Sequence, residues 1–249
     1  MAANKSKLAG VAVSTAMALT ALTLPMAAQA ELSGNIGIHS KYLLRGIFEE
    51  NTGAAVQGGL DYTQDGFYVG WWFSSLGYSY EAPSDLKTDE KGFENDLYLG
   101  YAGEVQGLGY NVGLIQYVYV NVDDSNLLEF TGKLTYAGFY VGLQALLNDG
   151  WWGNSGDIYW KAGYSAKLPM DFGLALDYGY YTYDDNDNGE LGSSTLTNSG
   201  FRHLNFTLSH PIADTGASVY AQYTVAGEDR TGAEYDDSMV AGITYSHAF

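Results

Sequence analysis

The chain has no cysteine in its 249 residues, which removes a disulfide framework, a thiol nucleophile and a thiolate metal site. Proline is almost as scarce. Of the four, the three beyond residue 30 (Pro83, Pro169 and Pro211) fall between stretches of alternating hydrophobicity and never inside one. A proline cannot donate to a β-ladder, so this placement leaves the alternating stretches free to pair. Basic charge is sparse too: 11 Lys and Arg stand against 29 Asp and Glu, a formal net charge of −18, which argues against a nucleic-acid partner. Beyond the first 30 residues no run is long and apolar enough for a membrane helix. If this protein meets a bilayer, it does so through strands.

What is abundant points the same way. There are 22 Tyr, 10 Phe, 5 Trp and 32 Gly, and hydrophobic residues make up 46% of the chain. Mean hydropathy is nonetheless only −0.14, so apolar and polar residues are interleaved. An aromatic, glycine-rich and interleaved chain suits a membrane barrel better than a soluble sandwich. Residues 1–30 read as a secretory signal, with Lys5 and Lys7, an apolar run over 8–24 and Ala28-Gln29-Ala30 before Glu31. Residues 31–249 then form one β-unit.

The last stretch, 239–249, sets Met239, Ala241, Ile243, Tyr245, His247 and Phe249 on one face and Val240, Gly242, Thr244 and Ser246 on the other. A period of two is a strand. Its apolar face has nothing after it to pack on, so it is expected to pair with residues 32–42 and close a barrel without free edges. A terminal Phe behind alternating apolar positions also looks like the signal by which outer-membrane barrels engage the barrel-assembly machinery.

Alternation divides the rest into about twelve strands, near residues 32–44, 54–62, 67–76, 95–103, 108–119, 127–136, 139–147, 157–167, 172–183, 201–210, 217–225 and 238–249. Connections at 64–65, 104–107, 137–138, 168–171 and 211–216 are short, and those at 45–53, 77–94, 120–126, 148–156, 184–200 and 226–237 are longer. Short on one side and long on the other is the pattern of periplasmic turns and extracellular loops. The expected fold is therefore all-β: a transmembrane up-and-down antiparallel β-barrel of about twelve strands. Apolar parity sends Leu108, Tyr110, Val112 and Leu114 outward, and likewise Phe139, Val141, Leu143, Ala145 and Leu147. That same parity turns Glu129, Lys133, Asp157, Lys161 and Asp177 inward, away from a lipid face where Lys or Arg would cost roughly 2 to 4 kcal/mol at the midplane. The inward sets read as polar or small, and Tyr101, Tyr136, Phe139, Trp160, Tyr223 and Phe249 are placed for interfacial girdles.

Several runs resemble TorF-family porins. These are Ser33-Gly34-Asn35-Ile36-Gly37 with Arg45-Gly46, then residues 57–62 and 66–70, then Glu94-Asn95-Asp96-Leu97-Tyr98 and Tyr110-Asn111-Val112-Gly113. The likeness spans nearly all of 31–249 and departs at Lys41 and Asn111, where acidic residues are expected. It implies an outer-membrane barrel with a porin's role and names no substrate.

A barrel of about twelve strands lies between those filled by side chains and those with an open channel, so a narrow pore or a plug of side chains and folded-in loops is expected. Glu129, Lys161 and Asp177 fall at similar mid-depth, with Tyr117 and Gln144 beside them and Lys133 nearer the periplasm. They would either line the narrowest part, orienting a small polar solute between opposed charges, or form an ion-pair network that closes it. Nineteen acidic residues fall in or beside the long connections, set against Lys87, Lys91 and Arg230, which would favour cations at the outer mouth. Asp184, Asn186, Asn188 and Gly189 match half a calcium loop, but Thr195 replaces the acid that would complete it. Four histidines without a nucleophile-elbow or zinc-helix pattern leave a hydrolase as a weaker reading. A non-conducting, surface-binding barrel is the other alternative. No cofactor is expected; the expected partners are outer-membrane lipids, the assembly machinery and small polar solutes.

Overall fold

The computed structural model describes residues 30–48, 53–80, 86–87, 91–185, 191 and 194–249. The secretory signal (except Ala30) and Asn186, Asn188 and Gly189 of the half calcium loop lie outside them. In chain order the strands are β1 (Glu31–His39), β2 (Leu43–Leu44), β3 (Ile47–Phe48), β4 (Ala55–Gln64), β5 (Phe67–Ser75), β6 (Ser79–Tyr80), β7 (Leu86–Lys87) and β8 (Phe93–Val105). They continue as β9 (Leu108–Val120), β10 (Leu128–Tyr136), β11 (Phe139–Leu146), β12 (Ile158–Lys167), β13 (Gly173–Thr182), β14 (Ser199–Pro211), β15 (Ala217–Ala226) and β16 (Ser238–Ala248). Twelve of them close in the order β1-β16-β15-β14-β13-β12-β11-β10-β9-β8-β5-β4, while β2-β3 and β6-β7 are separate two-stranded pieces.

The seam forms where the terminal alternation placed it. β1 and β16 run antiparallel from Ser33 opposite Ala248 to His39 opposite Gly242, and the Phe249 amide donates to the Leu32 carbonyl at 2.9 Å. The short turns are set by local chemistry. Asp65-Gly66, Gln106-Gly107 and Ala137-Gly138 each place both central residues at positive φ, the two-residue turn whose twist matches its flanking strands.

Outside, rows of apolar side chains run round the wall. Leu99, Leu114 and Phe130 are cross-strand neighbours on β8, β9 and β10, and all three are exposed. Phe67 against Tyr101, ring centroids 4.9 Å apart, and Phe139 against Tyr164, 4.5 Å apart, mark the short-turn end. Inside stand Gln57, Asp61, Glu94, Asp96, Glu129, Thr131, Gln144, Asp177 and Asn205, in register with the parity read from the sequence. An apolar outside around a polar inside is the reverse of a water-soluble barrel.

Two expectations need correction. β1 ends at His39 and does not run on to residue 44; the chain then leaves the wall. Nor is the interior uniformly polar or small. Toward the long-loop end Ile115, Tyr117 and Leu146 pack with Leu127, and Val240 and Tyr220 pack with Leu43. Loop segments fold inward there, and their apolar side chains need apolar partners.

The inward glycines carry rings. A Cβ on Gly70 would lie 2.3 Å from the Tyr98 ring, one on Gly100 2.3 Å from the Tyr68 hydroxyl, and one on Gly163 2.3 Å from the Tyr140 ring. Tyrosines thus occupy the space that a side chain on the neighbouring strand would take. This device fills a small lumen without straining the wall.

Candidate pore constriction

The narrowing element is the hairpin of β2 and β3. Its central residues, Arg45 and Gly46, have φ of 49° and 79°, the same turn chemistry as at the short-turn end. Apolar residues pull it inside: Tyr42 is fully buried with Ala55, Leu76 and Val122, and Leu43 packs on Tyr220 and Val240. The tip presses on β14, where a Cβ on Gly46 would lie 2.3 Å from the Cβ of His203.

From this tip Arg45 reaches the far wall. Its Nη2 lies 2.7 Å from both Oε1 and Oε2 of Glu129 and donates to the Tyr117 hydroxyl at 3.3 Å, while Nη1 donates to the Tyr181 hydroxyl. The guanidinium carbon is 4.8 Å from the Tyr159 ring centroid and 5.6 Å from that of Trp152. Glu129, with a fully buried side chain, also accepts from the Tyr117 hydroxyl at 2.7 Å and from Gln144 Nε2 at 3.1 Å. A buried carboxylate demands this many donors, because each unmatched lone pair would be desolvated at a cost of about 1 to 3 kcal/mol or more.

A bulge fixes the other side of the tip. Pairing of β13 with β14 shifts between Gly179 and Tyr180, so that Gly179 faces His203 and Tyr180 faces Phe201. Arg202 is the extra residue. Re-aiming a side chain is what such bulges do: Arg202 Nε donates to the Arg45 carbonyl at 3.2 Å, Nη1 donates to the Glu228 carbonyl at 3.3 Å, and its guanidinium lies over the Tyr181 and Tyr235 rings.

All six residues singled out from the sequence face the interior, and contacts divide them into two groups. Tyr117, Glu129 and Gln144 surround Arg45, and Lys161 Nζ donates to Gln144 Oε1 at 3.3 Å. Nearer the short turns, the Tyr140 hydroxyl donates to Asp177 at 2.6 Å, and Lys133 Nζ stands 4.6 Å from the Tyr140 ring centroid. Lys133 and Lys161 share one ladder row, with Gly142 between them. The short-turn half of the lumen repeats the tyrosine-acid motif, with the Tyr98 hydroxyl donating to Asp61 at 2.6 Å.

Arg45 and Arg202 were missed as interior residues. Arg45 also begins the first long connection, so it belonged among the cations there. It does not dilute the acidic mouth, because its charge is spent on Glu129 inside. Arg230 does not dilute it either, since it is buried against Asp157. Among the mouth carboxylates, Asp229 is partly desolvated, yet the hydroxyl and amide of Thr231, the Ala233 amide and the Tyr235 hydroxyl hold it below the usual carboxylate range. It stays ionised under mildly acidic conditions.

Three of the four histidines are occupied by hydrogen-bond partners. His39 Nδ1 is 2.6 Å from the Tyr220 hydroxyl, His203 Nε2 is 2.7 Å from the Tyr159 hydroxyl, and His210 Nε2 is 3.1 Å from the Met170 carbonyl. Among the described residues no three His, Cys, Asp or Glu side chains converge as a metal cage.

A closed antiparallel barrel of twelve strands with a charged interior narrowed by an inward hairpin has the fold of outer-membrane porins. A protein described as KdgM porin superposes with a TM-score of 0.52 at 10% identity over 86% of this chain and 99% of its own. A NanC porin superposes with a TM-score of 0.50 at 12% identity over 86% and 98%. A chain from work on in-meso crystallization of membrane proteins gives 0.55 at 9% identity over 88% and 84%. At such identities the likeness is one of fold. Residues 25–139 match the profile of a family described as "Bacterial protein of unknown function (Gcw_chp)". No curated protein matches the sequence.

Proposed function

We propose that this chain is a TorF-type porin of the Gram-negative outer membrane, through which small polar solutes diffuse passively past the inner hairpin, cations in preference to anions. The observation that carries this reading is the closed wall with lipid-like apolar side chains outside and opposed charges inside. A barrel that served only as a surface scaffold could fill its centre with apolar side chains. Instead, two ammonium groups, Lys133 and Lys161, stand among Asp177 and the Glu129 cluster on the β10–β13 side of the lumen, which sets charges of both signs beside the path of a solute with a dipole. Cation preference is supported by the acidic outer mouth, where Asp123, Asp124, Asp149, Asp184 and Asp185 have few cations to offset them. The exposed outward run Tyr245, His247, Phe249 is a fitting recognition strand for the assembly machinery.

The test is single-channel recording of the refolded mature protein in planar bilayers under a salt gradient. Stepwise openings with a cation-selective reversal potential are expected. Lys161→Gln should strengthen that preference: a unit charge about 8 Å from the path in water is worth about 0.5 kcal/mol, or about a twofold change in local ion concentration. Anion preference in the wild type would overturn the selectivity. A second reading, a plugged barrel with a binding surface, is favoured by the apolar packing of the hairpin against β15 and β16. It would be supported if neither the wild type nor hairpin variants conduct.

A further inference from the structure

One interior carboxylate takes no part in the pairing of Arg45 with Glu129. Asp96 faces inward from β8, is 1% exposed, and neither of its oxygens has a hydrogen-bond donor among the described residues. Its cross-strand neighbours are Trp72 on β5 and Tyr117 on β9. Trp72 offers a ring wall, and the Tyr117 hydroxyl is already given to Glu129. Two residues before Asp96 on the same face, Glu94 is fully buried as well. The charges that act on Asp96 are those of Glu94, Glu129 and Arg45. The guanidinium is turned to Glu129, the Tyr hydroxyls and the aromatic rings, so Asp96 receives none of its hydrogen bonds.

A carboxylate held out of water without a donor is costly, and a bound cation is one way to remove that cost. We propose that Asp96, with Glu94 on the same face of β8, forms an intraluminal binding site for a small hard divalent cation of the calcium type. Carboxylate oxygens suit such an ion; the chain has no cysteine for a soft metal, and the cross-strand neighbours of Asp96 and Glu94 (Trp72, Tyr117, Ser74 and Tyr119) include no histidine for a nitrogen-loving one. Because no third acidic or histidine ligand converges there among the described residues, the ion keeps part of its water shell. The site lies beside Arg45 and Glu129, whose charges act on Asp96, so an ion on it neutralises carboxylate charge next to the inward hairpin. That role goes beyond passive diffusion, and the binding itself does not depend on the channel reading.

Terbium tests it, because Trp72 stands across the ladder from Asp96 and can sensitise a nearby lanthanide. The refolded mature protein in detergent should show saturable terbium luminescence on tryptophan excitation, displaced by calcium but not by sodium at matched ionic strength. Asp96→Asn, nearly isosteric and checked for folding by its gel mobility without heating, should weaken this binding by about tenfold or more. Glu94→Gln should weaken it in the same direction and carries the test if Asp96→Asn does not fold. Trp72→Phe should dim the signal while calcium binding measured by calorimetry persists. Wild-type affinity in both carboxylate variants would place the ion on the outer acidic loops and overturn the proposal, as would the absence of any saturable signal. Neither result needs a conducting channel, so silence in a bilayer leaves this site standing.

Discussion

Arg45→Ala is expected to raise single-channel conductance and lower the stability of the folded barrel together. The side chain ties the hairpin tip to β10 through both Glu129 oxygens, to β9 and β13 through tyrosine hydroxyls, and to the rings of Tyr159 and Trp152. Removing it leaves Glu129 buried with Tyr117 and Gln144 as its donors among the described residues. Breaking a buried pair by deleting one partner costs about 3 to 5 kcal/mol, because the remaining charge is stranded. The way to relieve that cost is to let water in, which means withdrawal of the hairpin and widening of the path. Arg45→Lys should give an intermediate result, since an ammonium keeps the charge but cannot reach Glu129 and the tyrosines at once. Gly46→Val supplies an independent arm: it leaves the guanidinium intact but adds a side chain where a Cβ meets His203 at 2.3 Å and φ is +79°. It too should expel the tip and raise conductance. Wild-type conductance in both Arg45→Ala and Gly46→Val would mean that the hairpin does not set the limiting cross-section.

The wall of this protein was readable because its outer and inner faces make opposite demands on alternate residues, so the pattern persists through every strand of the barrel. Twelve strands, their parity and the seam through Phe249 all follow from it. The hairpin was not readable by the same means, because Leu43 and Leu44 continue the first strand's apolar character and hide the point where the chain leaves the wall. One local signal was there: Arg45-Gly46 between two apolar pairs is the X-Gly hairpin signature. It was read as the start of an outer loop. The contacts of Arg202 were out of reach, since a bulge shifts one side chain without changing the alternation on either side. The glycines illustrate a related limit of pattern alone. A missing side chain looks like room for a solute, and only the partner strand shows that Tyr68, Tyr98 and Tyr140 occupy that room.

Leu99→Arg decides whether the apolar exterior is a lipid surface. Leu99 sits at the centre of β8, faces outward and is more than half exposed, in a row with Leu114 and Phe130. In water an arginine there would be harmless, as most exposed substitutions fall within about 0.5 kcal/mol. At the midplane of a bilayer the same side chain must snorkel or draw in water, at a cost of roughly 2 to 4 kcal/mol. Urea unfolding of protein refolded into vesicles should show that loss as a lower midpoint. Ser165→Arg is the matched control, since Ser165 faces the interior near the short-turn end and is already exposed there. Its arginine has water within reach, so the expected change is small. A large difference between the two variants requires opposite environments on the two faces of one wall, which only a membrane-spanning barrel provides. Equal and small effects would mean that water bathes both faces, and the porin reading would fall with the lipid surface it depends on.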